Sequence, residues 1–268
     1  ATDYDGDAVT LTADSITVVV ENDIPAPAGT ATASIRVDED ELSTATSDLS
    51  TGITDGDADT DEATFSSASL AALVTPGADE PIDFNLNGAL TGNVVTTGGA
   101  AVLSQGANVI WGTNAGALVG FVNLGGGAGF DLGVDREVFR LTDNGNGTFT
   151  FDLKDQLDHT AGAGDNGILT LDLTTAFTAT DRDGDAVTLN GDSITVAVGN
   201  DIPALGSGSV SRTVHEDAIN NIQSDGNEEG GQTTIATGTL SGIAIVGADE
   251  NGAYSINGDL KGQSSGLA

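Results

Sequence analysis

One stretch of this chain is written twice. Residues 1–25 read ATDYDGDAVTLTADSITVVVENDIP and residues 179–203 read ATDRDGDAVTLNGDSITVAVGNDIP, aligned without a gap at a spacing of 178, with 20 of 25 positions identical. The segments after each copy recur in the same order. VDED at 37–40 returns as VHED at 214–217, and DGDAD at 55–59 faces DGNEE at 225–229. GADE at 77–80 returns at 247–250, and NGALTG at 87–92 returns as NGDLKG at 257–262. Such a period marks an array of units, each meeting only its neighbours. The chain reads as the C-terminal strands of a preceding unit (1–25), one complete unit (26–203) and the N-terminal part of a following unit (204–268). Both termini read as cuts through a longer array.

Inside the unit the pattern is that of strands. Val187 and Leu189 alternate, Asn190–Gly191 offers a type I′ turn, and Ile194, Val196 and Val198 alternate again, which predicts a hairpin closing the repeat. Phe139–Leu141, Phe149–Leu153 and Ile168–Leu173 predict further strands, with a turn at Asn144–Gly147 between the first two. Ser66–Val74 is the one helix-like stretch, a turn or two long, so helix should stay under about a tenth of the chain. Aromatic residues are 4% of the total and Met is absent, which points to a core of Val, Ile, Leu and Ala. The expected fold is all-β: antiparallel, immunoglobulin-like β-sandwich repeats in a linear array. A 178-residue unit exceeds an ordinary sandwich, so extra strands or an insertion are expected around 90–135.

Charge narrows the partners. Seven Lys and Arg face 41 acidic residues, a net charge of −34. Nucleic acid is excluded, and so is insertion into an anionic membrane, because neither supplies the counter-charge. Asp outnumbers Glu 31 to 10 and is clustered, a distribution that hard-cation coordination favours and mere surface solvation does not need. There is no Cys, and bound metal is the natural substitute for a disulfide staple. No apolar run approaches a membrane span. The lack of a signal peptide carries no weight in a chain that begins in mid-repeat.

The strongest chemical motif is Asp-x-Asp-Gly-Asp: Asp3, Asp5 and Asp7, then Asp181, Asp183 and Asp185. In an extended chain alternate residues point to one side. Carboxylates about 4 Å apart repel by roughly 1 kcal/mol in water and about 4 at a surface-like dielectric. Calcium, with its six to eight oxygen ligands, relieves this. The loop is not an EF-hand, because Gly falls at the fourth position and a strand follows. Asp14 and Asp192 fill the twelfth place by spacing alone. A second motif, Asn-Asp-Ile-Pro, places Asn22 and Asp23, then Asn200 and Asp201, at the unit ends, with Glu39 and Glu216 expected to complete each site across the junction. A third cluster is Asp55, Asp57, Asp59 and Asp61. Asp155, Asp158 and His159 read as a hydrogen-bonded strand end.

Two literal matches are set aside. Gly126–Asp131 copies the start of a β-roll nonapeptide but occurs once, and a roll needs several copies to bury anything. Gly262–Gly266 copies a nucleophile elbow without the helix that must come after it. No catalytic constellation remains, and the chain is not expected to be an enzyme.

The ordered series VDED, GADE…NGALTG, VFRL, NGTFTFDL, QLDH, TDRDGDAVTL and SITVAVGNDIP resembles the long repeats of giant type-I-secreted RTX adhesins, among them biofilm-associated surface proteins of Gram-negative bacteria. The chain departs from the pattern at DGNEE and in the Gly-rich stretch 92–133. The resemblance implies an extracellular stalk module on the bacterial cell surface. Calcium would stiffen it, neighbouring repeats would be its partners, and it would hold a ligand-binding tip away from the cell. Export as an unfolded, self-repelling, disulfide-free chain, with folding in millimolar calcium outside, fits that role. Two other classes stay open. One is a repeat that itself binds glycan or a partner through Trp111 and the loops of 92–133. The other is a self-associating subunit of an extracellular filament or surface layer.

Overall fold

The structure, a computed structural model, describes residues 1–43, 51–54, 60–164, 167–221, 224–226, 232–249, 252–255 and 258. Among them the complete unit forms sixteen strands. The first eight are β1 (Ala26–Pro27), β2 (Ala33–Asp38), β3 (Glu62–Phe65), β4 (Val74–Thr75), β5 (Asp83–Leu86), β6 (Val95–Thr96), β7 (Leu103–Ser104) and β8 (Ala107–Asn108). Then come β9 (Ile110–Asn114), β10 (Ala117–Val122), β11 (Arg136–Asp143), β12 (Phe149–Leu153), β13 (Ile168–Asp172), β14 (Phe177–Thr180), β15 (Ala186–Val187) and β16 (Ile194–Gly199). The protein is all-β. Its one described α-helix, Ser67–Ala71, is a short turn capped by the Ser66 side chain, which accepts from the Ser69 N–H.

Three sheets share one core. An antiparallel sheet runs β3-β12-β11-β10-β9, a second runs β2-β16-β13-β6, and a third runs β15-β14-β5. Alternation explains which side chains go inward. On β12, Phe149, Phe151 and Leu153 are buried while Thr150 and Asp152 are not. On β16, Ile194, Val196 and Val198 are fully buried in the same cluster. Phe177 of the third sheet meets Phe149 and Phe65 of the first edge-on, at 5.0 and 5.9 Å between ring centres.

The structure corrects three sequence expectations. First, the sheets are not wholly antiparallel: β2 runs parallel to β16, in register from Ala33–Ile194 to Asp38–Gly199. Second, the closing hairpin does not form. β15 pairs with β14 in the third sheet, whereas β16 lies between β13 and β2 in the second. A type I′ turn needs positive φ at both central residues, but only Asp192 takes positive φ in this connection, at 59°. Asn190 instead donates to the Gly29 carbonyl at 2.6 Å, and Thr174 Oγ1 accepts from the Ser193 and Ile194 N–H groups. Asp14 repeats the positive φ in the first copy, at 67°, so the twelfth-place Asp is a turn former in both. Third, the core is not purely aliphatic: Phe65, Phe121, Phe139, Phe149 and Phe151 are among its largest fully buried side chains. Few aromatics are present, but they are concentrated where area burial counts most.

Extra strands are present where extra strands or an insertion were expected. The region 90–135 supplies β6 to β10, with β9 and β10 extending the first sheet as a hairpin. On β10, Leu118 and Val122 face the common core, while Phe121 turns the other way onto Phe130, 5.4 Å away. Trp111 is 5% exposed and meets Phe139 edge-on. A lone Trp is more often core than binding site, and this one is buried, so its indole offers no face to a glycan.

Phe149→Ala should destabilise the calcium-loaded protein by about 3–5 kcal/mol, the cost of an aromatic cavity. Urea unfolding monitored by Trp111 fluorescence checks it; a loss under about 1 kcal/mol would contradict the three-sheet core.

Candidate metal centres

The Asp-Gly-Asp loops adopt one conformation in both copies, and it is a closed turn, not an extended run. Asp3 N–H donates to the Asp7 carbonyl at 2.9 Å, and Asp181 N–H to the Asp185 carbonyl at 3.0 Å. The Asp3 carboxylate accepts from the Asp7 N–H, and the Asp181 carboxylate from the Asp185 N–H, both at 2.8 Å. Gly6 and Gly184 take φ of 99° and 102° to close the turns.

Each turn gathers carboxylates. Ligand oxygens of Asp3, Asp5 and Asp7 lie within 4.8 Å of one another, and so do those of Asp79, Asp181 and Asp183. Either group could hold a metal ion. The second is the more built of the two. Asp181 is 3% exposed, and its buried Oδ2 has no hydrogen-bond partner, a cost that a bound cation removes. Asp79 comes from the GADE loop, which is fastened by the Arg182 N–H donating to the Asp79 carbonyl at 3.2 Å. Asp185, expected in this cluster, instead accepts from Asn22 Nδ2 at 2.5 Å.

That bond belongs to a junction. Asp23 Oδ2 accepts from the Ala78 N–H at 3.0 Å, and Asp201 Oδ2 accepts from the Ala248 N–H at 2.6 Å. The same linker aspartate thus grips the same GADE loop in both units. Glycine is required at both loops: Gly77 and Gly247 take φ of 73° and 79°, and a Cβ on either would collide with the Asp23 or Asp201 carboxylate. The linker therefore meets the next unit at its GADE loop and not at the first acidic turn.

Glu39 lies elsewhere. Because β2 and β16 run parallel in register to Asp38–Gly199, Glu39 emerges beside Asn200 and Asp201 of its own unit. It is fully buried, accepts from the Leu157 N–H at 2.6 Å and stands 3.5 Å from both His159 Nε2 and the Asp201 nitrogen. Asp38, Asp40 and Asp155 are buried as well. A cavity of about 590 Å³ opens there, lined by Asp158, His159, Asn200, Asp201 and Asp249 among others. Glu216 sits exposed in a short 3-10 turn. Asp61 lies at the edge of the first sheet, its carbonyl accepting from the Leu153 N–H; Asp55, Asp57 and Asp59 lie outside the described residues.

The electrostatics reflect crowding. Contact with the Asp181 carboxylate, then burial, pushes the Asp183 carboxyl up. Burial also acts to raise Asp181, but hydrogen bonds from Asp183 and from the N–H groups of Asp185 and Gly184 outweigh it, and its carboxyl is lowered. At the far end of the unit burial raises Glu39, Asp201 and Asp249.

Comparison with protein-family models, curated proteins and solved structures gave no match.

For Glu39, Asp201 and Asp249 the folded protein holds protons more tightly than the unfolded chain. The stability they lend is full below their ordinary values, 4.5 for Glu39 and 3.8 for the two Asp, and is lost as pH rises through the raised ones. In chelator, the urea midpoint should therefore fall as pH climbs from the carboxylate range towards neutral. Glu39→Gln should flatten that slope, and a slope unchanged in the variant would show that Glu39 does not carry it.

Proposed function

We propose that the chain is a calcium-rigidified spacer: a structural, non-enzymatic repeat of a large extracellular adhesin on a bacterial surface, holding a ligand-binding tip away from the cell. The observation that carries this reading is the twofold junction. Asp23 on Ala78 and Asp201 on Ala248 are the same contact at both ends of one complete unit. A unit joined to both neighbours through one repeated interlock propagates in a line.

Calcium is the fitting ion. The clustered donors are carboxylate oxygens, no Cys is present, and such a set favours hard cations. Each unit brings oxygens to a junction from both sides. The preceding unit contributes the carboxylate of its linker Asp, while its linker Asn donates to Asp185, and the next unit contributes its GADE and Asp-Gly-Asp carboxylates. Bare, these groups repel and let the units swing. Bridged by an ion, they fix the angle, and metal binding becomes folding free energy. Neighbouring repeats are then the partners, and the ordered series of motifs that resembles RTX adhesin repeats supports the same role.

Small-angle scattering of the 268-residue chain should show a longer, narrower particle in calcium than in chelator, with sodium unable to substitute. Asp79→Asn with Asp181→Asn should remove a calcium site by calorimetry, and Asp23→Asn with Asp201→Asn should reduce the extension while circular dichroism stays β. A particle whose shape ignores calcium, or a double variant that binds and extends normally, would sink the spacer reading.

A further inference from the structure

The chain has two histidines. The side chain of His215 is 41% exposed and that of His159 only 4%. His159 lines the cavity of about 590 Å³ at the far end of the unit. Its Nε2 is buried and has no hydrogen-bond partner. Facing it at 3.5 Å is Glu39 Oε1, on a side chain that is fully buried. A charge-assisted hydrogen bond from nitrogen to carboxylate closes to about 2.7–2.9 Å, and this pair stays open. Two ligands on one tetrahedral zinc ion, each bonded at about 2.0–2.1 Å, stand about 3.3 Å apart. The observed spacing is nearer to the second figure.

Backbone bonds hold both groups in place. Glu39 Oε1 accepts from the Leu157 N–H at 2.6 Å. The Asp158 N–H donates to the Leu103 carbonyl at 2.8 Å, and the Asp158 carboxylate accepts from the Gly106 N–H at 2.9 Å. These bonds fix the stretch 157–159 against Glu39. From the other side, Asp201 Oδ2 draws in the GADE loop of the following unit through the Ala248 N–H, and Asp249 joins the cavity wall. The charge here is one-sided. Asp158, Asp201 and Asp249 line the cavity with no Lys or Arg, so with Glu39 four carboxylates surround one imidazole. Such a site calls for positive charge, and the ring nitrogen narrows which kind.

We propose that this end of the unit binds one zinc-class divalent ion through His159 Nε2 and Glu39 Oε1, with Asp249 of the following unit closing as third ligand and water as fourth. An imidazole beside carboxylates selects such an ion over calcium, whose ligands are oxygens. The neutral ring offers Nε2 when its proton sits on Nδ1. Asp158 is already engaged by Gly106, which leaves the closing step to Asp249. Because Asp249 belongs to the next GADE loop, the ion ties two units together. The site goes beyond the spacer reading. It shares no residue with the cluster of Asp79, Asp181 and Asp183, so either can fail alone.

Zinc titrated into the calcium-loaded 268-residue chain, at constant calcium, tests this by calorimetry and by NMR of the two imidazole rings. One equivalent should bind ahead of weaker surface binding and shift the His159 ring, while the His215 ring stays put. His159→Gln and Asp249→Asn should each weaken that equivalent at least about ten-fold with circular dichroism unchanged. Asp79→Asn with Asp181→Asn, which touches only the calcium cluster, should leave zinc affinity as it is. The ring shift is read on the unsubstituted chain, so the test stands even where His159→Gln does not fold. A His159 ring indifferent to zinc, equal shifts at both histidines, or full affinity in either the His159→Gln or the Asp249→Asn variant would overturn the proposal.

Discussion

The parallel pairing of β2 with β16 joins residues about 160 positions apart, from Ala33–Ile194 to Asp38–Gly199, and the rest of the unit hangs on it. It brings the first long strand of the unit beside its last, so everything between must fold into the space enclosed. Loop closure over that length costs entropy before any contact repays it, which places this topology among the slow folders. It also decides where the acids go. A parallel pair ends both strands at the same place, so the VDED turn and the Asn-Asp-Ile-Pro linker emerge together, and Glu39 is buried against Leu157, His159 and Asp201.

The unit consequently has two chemically different ends. One carries the GADE loop and the Asp-Gly-Asp turn, with Asp79, Asp181 and Asp183 drawn together. The other carries the linker, Glu39 and a cavity edged by Asp158, Asp201 and Asp249. Between them the first sheet is closed by phenylalanines stacked at 4.8 Å or set edge-on, which owe nothing to a cation. Apolar burial forms the middle of the unit, whereas its ends are under repulsion until something positive arrives.

Much of this was legible in the residues. The repeat, the strands 139–141, 149–153 and 168–172, the turn at Asn144–Gly147 and the convergence of Asp181 with Asp183 all come from local patterns of period and composition. Strand partnership did not. Val187, Leu189 and the Asn190–Gly191 pair satisfy every short-range rule for a hairpin, yet β15 and β16 belong to different sheets because Thr174 and Gly29 hold the connection open. Glu39 was chosen for its acidity and placed at the wrong end, since only the parallel register reveals its neighbours. Asp79 was not among the expected candidates although GADE stood out as a recurring string; its recurrence after each linker Asp, at 77–80 and again at 247–250, was the available signal.

That pairing of strings suggests how the junction tolerates a changing neighbour. The linker aspartate bonds to a backbone N–H, at Ala78 and at Ala248, and the glycine before each alanine makes room for its carboxylate. Backbone recognition demands only the loop's shape, so it sets no demand on the side chains around it. Ion ligands then act on a geometry already chosen by the glycine and the aspartate. In the proposed spacer, positioning and stiffening are separate physical steps: a substitution at Asp183, in the carboxylate cluster, would alter the second while the Asp23 contact to Ala78 persists.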